Sequence, residues 1–203
     1  YALWGDRTFD RDDLACLRAF TAPQLRVLRR MLERGLNAPV TSSAGRLFDA
    51  VASLCGLRQR LRHEGQAAMD LEYCLQPGQG DGYPMAVVAD GDGPAVVDWG
   101  PMVEALLADL AAGTPVGQLS RRFHDGLVAA IVAVSRRVGA ERVVLTGGCM
   151  QNRYLTERAV ERLREAGLRP YWHQRVPPND GGIALGQAAA VRSRLTGGAP
   201  SVQ

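Results

Sequence analysis

From Asp10 to about Gly35 the apolar positions recur every three or four residues. Leu25, Leu28, Leu32 and Leu36 line one face, and Asp10 and Asp12 suit a first helical turn. Asn37-Ala38-Pro39 breaks the pattern. Thr41-Ser42-Ser43 then offers N-cap residues for a helix through Leu47, Val51, Leu54 and Cys55, with Gly56 as its C-cap. A further helix is predicted from Gly65 to about Leu75. Gln76–Tyr83 is rich in glycine and proline and reads as a loop. Short apolar runs at Met85–Ala89 and Ala95–Val97 flank Asp90-Gly91-Asp92-Gly93, a hairpin signature. Pro101 opens a helix to about Ala111. Thr114-Pro115 opens a longer one, whose predicted buried stripe is Leu119, Phe123, Leu127, Ile131, Val134 and Val138.

The last third alternates. Val143-Val144-Leu145 is a predicted strand, followed by Thr146-Gly147-Gly148 and a helix with Leu155, Val160 and Leu163 inward. Leu168–His173 is a second strand, followed by the loop Pro177-Pro178-Asn179-Asp180-Gly181-Gly182 and an alanine-rich helix to about Leu195. The fold class is therefore α/β, with chemistry expected at the C-terminal ends of the strands. Three stretches are expected: helical 1–75, a hairpin with helices 84–139, and an α/β part 140–196.

Length and composition narrow the class. At 203 residues the chain makes one large domain or two small ones, and it is long enough to bury a core. Its charge of +3 is mild, and the arginines are spread along predicted helices, so no nucleic-acid face is expected. Cys16, Cys55, Cys74 and Cys149 are scattered, with no CxxC. That spacing argues against a zinc finger or disulfide framework and for a reducing cytoplasm. No apolar run reaches the roughly 20 residues of a membrane helix. The opening at Tyr1 rather than Met leads us to expect a fragment of a longer protein.

Three places carry candidate chemistry. In the first, paired glycines Gly147 and Gly148 after a buried strand admit a ligand close to the backbone, or simply make a tight turn that needs positive φ. Asn152, one turn downstream, reaches a sugar hydroxyl or caps the next helix. In the second, Asp180 follows a strand and precedes two glycines. Asn179 or Asp180 is an N-cap there, and the Asp180 carboxylate is a candidate metal or magnesium–phosphate ligand. A lone carboxylate is not a metal site, and His63, His124 and His173 lack paired spacing; His173 is expected to be structural. In the third, Asp49 sits beside an apolar stripe, and Glu64-Gly65 forms a loop-to-helix junction where Glu64 also suits a first helical turn. Arg58, Arg60 and Arg62 are expected on a solvated surface.

These residues fall in longer blocks. Asn37–Arg46 with Leu47-Phe48-Asp49-Ala50-Val51-Ala52, and Glu64-Gly65-Gln66-Ala67-Ala68-Met69-Asp70-Leu71-Glu72, resemble the HypF carbamoyltransferase pattern NxPxTSSxGRLFDAVA followed by EGQAAMxLE. Leu145-Thr146-Gly147-Gly148, Gln151-Asn152-Arg153 and the run from Arg175 to Gln187 match the same family in the same order. The resemblance covers roughly Asn37 to Gln187. It implies one lobe of a Kae1-like domain, a member of the actin/Hsp70/sugar-kinase (ASKHA, ribonuclease H-like) ATPase fold. It also implies the family's reaction. Carbamoyl phosphate and ATP give carbamoyl-adenylate, and the carbamoyl group passes to the C-terminal cysteine of a HypE-type acceptor during nickel–iron hydrogenase cyanide-ligand synthesis.

By that resemblance Asp49, Gly65 and Asn152 are nucleotide-binding, and Glu64, Gly147 and Gly148 beside them are further nucleotide-binding candidates. Asp180 is one ligand of a divalent metal, zinc, iron or magnesium, whose histidines lie in an HHxAH-type motif of the other lobe. That motif, the acylphosphatase signature and the zinc-finger cysteines are absent here. The isolated chain is thus expected to be inactive, supplying half of a site to the upstream lobe and domains of its polypeptide. Cys149 is expected to be a packed thiol, since no base stands beside it. Two other functions stay open: a tRNA threonylcarbamoyl transferase, against which stands Glu64-Gly65-Gln66 in place of a GGP loop, and a non-catalytic nucleotide-binding or docking module. An apolar face normally covered by the other lobe leaves homodimer formation open as well.

Overall fold

Proline decides the first helix boundary. Pro23 has no N–H to donate and its ring clashes with the preceding turn, so the helical pattern expected from Asp10 to Gly35 cannot run unbroken. The computed structural model, which describes residues 1–78, 80–89 and 93–196, divides that stretch instead. A 3₁₀ turn spans Gly5–Asp10, α1 spans Ala15–Arg18, and α2 spans Ala22–Arg34 with Pro23 in its first turn. Thr21 and Gln24 close a capping box, the Thr21 N–H donating to Gln24 Oε1 at 2.8 Å.

The described chain forms two compact units, Tyr1–Ala133 and Val134–Gln203. In the first, α3 (Ala44–Leu54) starts at Ser43, whose hydroxyl accepts from the Arg46 N–H, and ends as predicted. Gly56 takes φ of 74°, and the Leu57 N–H donates to Ala52 O at 2.9 Å, closing a Schellman motif. Next come α4 (Gln66–Tyr73), β1 (Ala86–Val88), β2 (Val96–Asp98), α5 (Gly100–Ala111) and α6 (Val116–Val138), the last continuing past the end of this unit. β1 and β2 pair antiparallel with Val87 opposite Val97. Of the Asp90–Gly93 turn predicted between them, residues 90–92 lie outside the described residues.

Aromatic packing builds the core of this unit. Phe48 of α3 meets the edge of Phe123 at 4.9 Å between ring centroids and His124 at 5.3 Å, both on α6. The Ser120 hydroxyl donates to the Leu71 carbonyl of α4 at 2.5 Å, so α3, α4 and α6 are tied together. Tyr83 is buried and donates its hydroxyl to Asp109 Oδ2 of α5 at 2.7 Å, beside Arg122, which pairs with the same carboxylate. The chain before Tyr83 crosses α6 so closely that only glycine fits at Gly82 and Gly126.

The stripe predicted for α6 is borne out at Leu119 and Phe123 and fails at Val138, which is 70% exposed. Burial instead wraps the middle of the helix through Ser120, Arg121, His124, Val128 and Ala130. Periodicity locates one apolar face, whereas a helix packed on several sides also buries polar residues that find partners. Arg121 does so through Gly80 O at 3.1 Å and Asp125 at 2.8 Å.

The second unit holds β3 (Arg142–Leu145), a 3₁₀ turn at Gly148–Gln151, α7 (Arg153–Glu165), β4 (Arg169–Trp172), a 3₁₀ turn at Asp180–Gly182 and α8 (Ile183–Leu195). β3 and β4 pair in parallel, Val144 opposite Tyr171 and Leu145 opposite Trp172, with α7 as the crossover. Leu155, Ala159, Val160 and Leu163 of α7 are buried with Leu145. The strand–helix–strand order predicted for the last third is thus present, and its fold class is α/β.

Candidate functional site

In the first unit the geometry centres on Asp49. Phe48 is locked in the core, so the next residue along α3 is held at a fixed position. The Asp49 side chain is 18% exposed, and its two carboxylate oxygens are shut off from solvent. Arg46 Nη1 lies 2.9 Å from Oδ2, close enough for an ion pair, yet neither oxygen receives a properly directed hydrogen bond. A guanidinium 51% exposed on the same helix holds its partner weakly, and the poor direction weakens the pair further. Unmatched buried carboxylate oxygens are costly and uncommon.

Gly65 adopts φ of 74° and serves as the N-cap of α4; a side chain placed there would meet nothing within 4 Å. The helix therefore begins at Gln66, and Glu64 lies before it, exposed, rather than in its first turn as expected. A left-handed residue cannot continue a helix backward. Gln66 Oε1 accepts from the Arg62 N–H at 2.9 Å, and His63 Nδ1 lies 3.1 Å from the Glu64 carbonyl. The expectation that Arg58 is merely solvated is corrected: its guanidinium pairs with Asp70 of α4 at 2.6 Å, joining the end of the α3 turn to α4.

In the second unit the candidates gather at the C-terminal ends of the parallel strands. Gly147 follows β3 with φ of 100°, a conformation that disfavours any side chain, and both it and Gly148 face open space. The Gly147 N–H donates to the Pro178 carbonyl at 2.9 Å, binding the turn after β3 to the loop after β4 that carries Asp180. Asn152 is buried and caps α7, its Oδ1 accepting from the Leu155 N–H at 2.8 Å. Asn179 caps the turn after it, accepting from the Gly181 N–H at 3.1 Å. Of the two residues proposed as that N-cap, Asn179 does the capping, and Asp180 is exposed. Cys149 is half-buried in the short 3₁₀ turn.

One contact escaped the sequence reading. Thr146 Oγ1 and His173 Nε2 lie 2.9 Å apart, across the ends of β3 and β4, where His173 was expected to be only structural. The signal that finds the pair is register: with Leu145 opposite Trp172, the next residues on each strand are neighbours.

The donor set does not complete a metal centre. Among the described residues no group of three or more His, Cys, Asp and Glu side chains stands close enough to hold an ion. Asp180 offers one hard oxygen donor and no more. Two shallow depressions, of about 470 Å³ between α7 and Trp172 and about 380 Å³ along Phe20, Val27 and Met31, include none of the candidate residues. No described helix is long and apolar enough to cross a membrane.

Comparison with known proteins identifies the family to which this chain is similar. Residues 6–187 match the family described as carbamoyltransferase, Kae1-like domain, second subdomain. The chain is 39% identical over 163 residues to carbamoyltransferase HypF of Synechocystis sp., covering 80% of this chain and 21% of that protein. It is 40% identical over 172 residues to carbamoyltransferase HypF of Rhizobium leguminosarum bv. viciae, covering 81% and 21%. Among solved structures, full-length HypF in its phosphate- and nucleotide-bound form superposes with a TM-score of 0.83 at 31% identity, covering 94% of this chain and 25% of that one. The chain thus spans about a fifth of the length of the curated relatives it matches.

Proposed function

The chain belongs to the HypF carbamoyltransferase family, as the second subdomain of its Kae1-like domain, and from that premise we propose that it supplies one lobe of a carbamoyl-transfer site within a longer polypeptide. The observation that carries the proposal is Asp49. A carboxylate that the fold buries without directed partners, inside a motif shared with the family, has the character of a group kept for a ligand. In the second unit Gly147, Gly148 and Asn152 are the proposed adenosine contacts; in the first unit, taken by itself, Asp49 and Gly65 are proposed nucleotide contacts, and Glu64 adds an exposed carboxylate beside Gly65. We take the lobe to be of the actin/Hsp70/sugar-kinase type, a reading supported by the parallel β3–α7–β4 pair.

The substrate on this view is carbamoyl-adenylate, made from carbamoyl phosphate and ATP. The cysteine thiolate at the C-terminus of a HypE-type acceptor attacks the carbamoyl carbon, the bond from that carbon to the phosphate oxygen breaks, and AMP leaves. Asp180 contributes a single ligand to a divalent ion whose other ligands come from outside the described residues. No step is assigned to that ion on the donor set present here. None of the four cysteines is in a disulfide, which fits a reducing compartment such as the cytoplasm.

The test is transfer of a radiolabelled carbamoyl group by the full-length polypeptide to the acceptor cysteine, with Asp49→Ala and Asp180→Ala variants. Both are expected to lose at least tenfold in rate, and Asp180→Ala also to lose bound metal by elemental analysis. Undiminished transfer in both variants, or labelling of tRNA in place of the protein acceptor, would refute the assignment.

A further inference from the structure

Two side chains at the strand ends have no role in the site as described so far. Thr146 and His173 are both exposed, yet they meet at 2.9 Å. The contact does little for the fold. The strand ends are already fixed by the Leu145–Trp172 register and by the Gly147 N–H to Pro178 carbonyl bond. A solvent-exposed hydrogen bond adds little to stability, because water competes for both partners. What the contact does is orient: the imidazole is held against the hydroxyl at the carboxyl edge of a parallel strand pair, the edge where α/β sheets bind their ligands.

The neighbouring backbone leaves room for a ligand. Gly147 and Gly148 leave the backbone bare beside the pair. The Asp180 loop, joined to the turn through Pro178, closes the same edge. With Nε2 accepting from the Thr146 hydroxyl, His173 keeps Nδ1–H as a donor for a second partner.

We infer that Thr146 and His173 together bind the phosphate of the adenylate, His173 donating its Nδ1–H to a phosphate oxygen and Thr146 fixing the ring by donating its hydroxyl hydrogen to Nε2, while the glycines and Asn152 hold the nucleoside. This rests on the nucleotide site proposed above and adds to it the groups that distinguish a nucleotide from a nucleoside. The pair is a binding pair: it fixes the phosphate from which the carbamoyl group departs.

The experiment compares adenosine with AMP. Binding of each is measured by calorimetric titration of the full-length polypeptide, wild type and with Thr146→Val, Thr146→Ser and His173→Ala. Thermal melting of each variant checks folding. Thr146→Val and His173→Ala are expected to weaken AMP at least tenfold and to leave adenosine within twofold, and Thr146→Ser to restore AMP binding. Equal AMP affinity in wild type and variants overturns the inference while leaving the nucleotide site standing. A loss that falls equally on adenosine and AMP also overturns it, since the pair then only shapes the turn. Failure of the wild-type protein to bind either ligand overturns the nucleotide site and the inference together.

Discussion

If Asp49 is retained for a ligand, removing it should stabilise the folded chain. Its carboxylate oxygens are out of contact with water and lack directed hydrogen bonds. Leaving a buried polar group unmatched costs about 1–3 kcal/mol. Against this stands the Arg46 ion pair, half-exposed on the arginine side, which contributes at most about 1 kcal/mol. Asp49 also lies inside α3, where alanine is the better helix former by about 0.5 kcal/mol. Asp49→Ala is therefore expected to raise stability by about 1 kcal/mol. In a chain of this length that moves the melting midpoint up by about 2–4 °C. Differential scanning calorimetry of the 203-residue chain reads the shift directly. Arg46→Ala, which leaves the carboxylate in place, serves as the companion and is expected to leave the midpoint no higher than that of the wild type. A fall of 2 °C or more in Asp49→Ala would mean that the carboxylate is held by the fold, and the argument from its isolation would fail.

Other outcomes follow from the packing. Gly82→Ala places a methyl group on the backbone of Asp125 and Gly126 and should cost about 3 kcal/mol or more in urea unfolding; a loss under 1 kcal/mol would contradict the close crossing of the loop over α6. His124 is held below the usual histidine range by burial, partly opposed by its bond to the Ser120 carbonyl and by Glu72 and Asp125. The unfolded chain then binds the proton more readily, so stability is full above about pH 6.5 and declines as pH falls below it. His124→Leu should flatten that decline between pH 7 and 5, and an unchanged slope would count against it. Burial pushes the Cys55 thiol up to about 12. It is expected to be the last of the four cysteines alkylated at pH 8 in the native chain, and early labelling by mass spectrometry would show the α3 end to be open.

Much of the helical framework was legible because its signals are local. Ser43, Gly56, Pro101 and the Thr114-Pro115 step act on the backbone within one turn, and each marks a boundary within a residue or two. The first helix was misread because the apolar spacing around Leu25 was allowed to outweigh Pro23. A ring that removes a donor and clashes with the preceding turn is the stronger constraint. The far end of α6 failed for a different reason. Periodicity reports which side chains are apolar, while burial at Val138 depends on what packs there.

At the candidate site the residues were legible and their commitments were not. Asn152 had two readings in the sequence, ligand or cap, and Asn179 was one of two candidate caps; in both cases the backbone takes the amide oxygen for a cap. An asparagine before a helix has an N–H two or three residues on at the right distance, so local geometry claims it first. The carboxylates differ. Asp180 stands next to the capping residue without being used as the cap, and Asp49 lies mid-helix, where no free backbone N–H is available to it. Each carboxylate stands where the backbone has already been satisfied by something else. That is why the argument for chemistry here is stronger at Asp49 than at Asn152: the asparagine would be kept for folding alone, whereas the buried aspartate works against folding and needs another reason to be there.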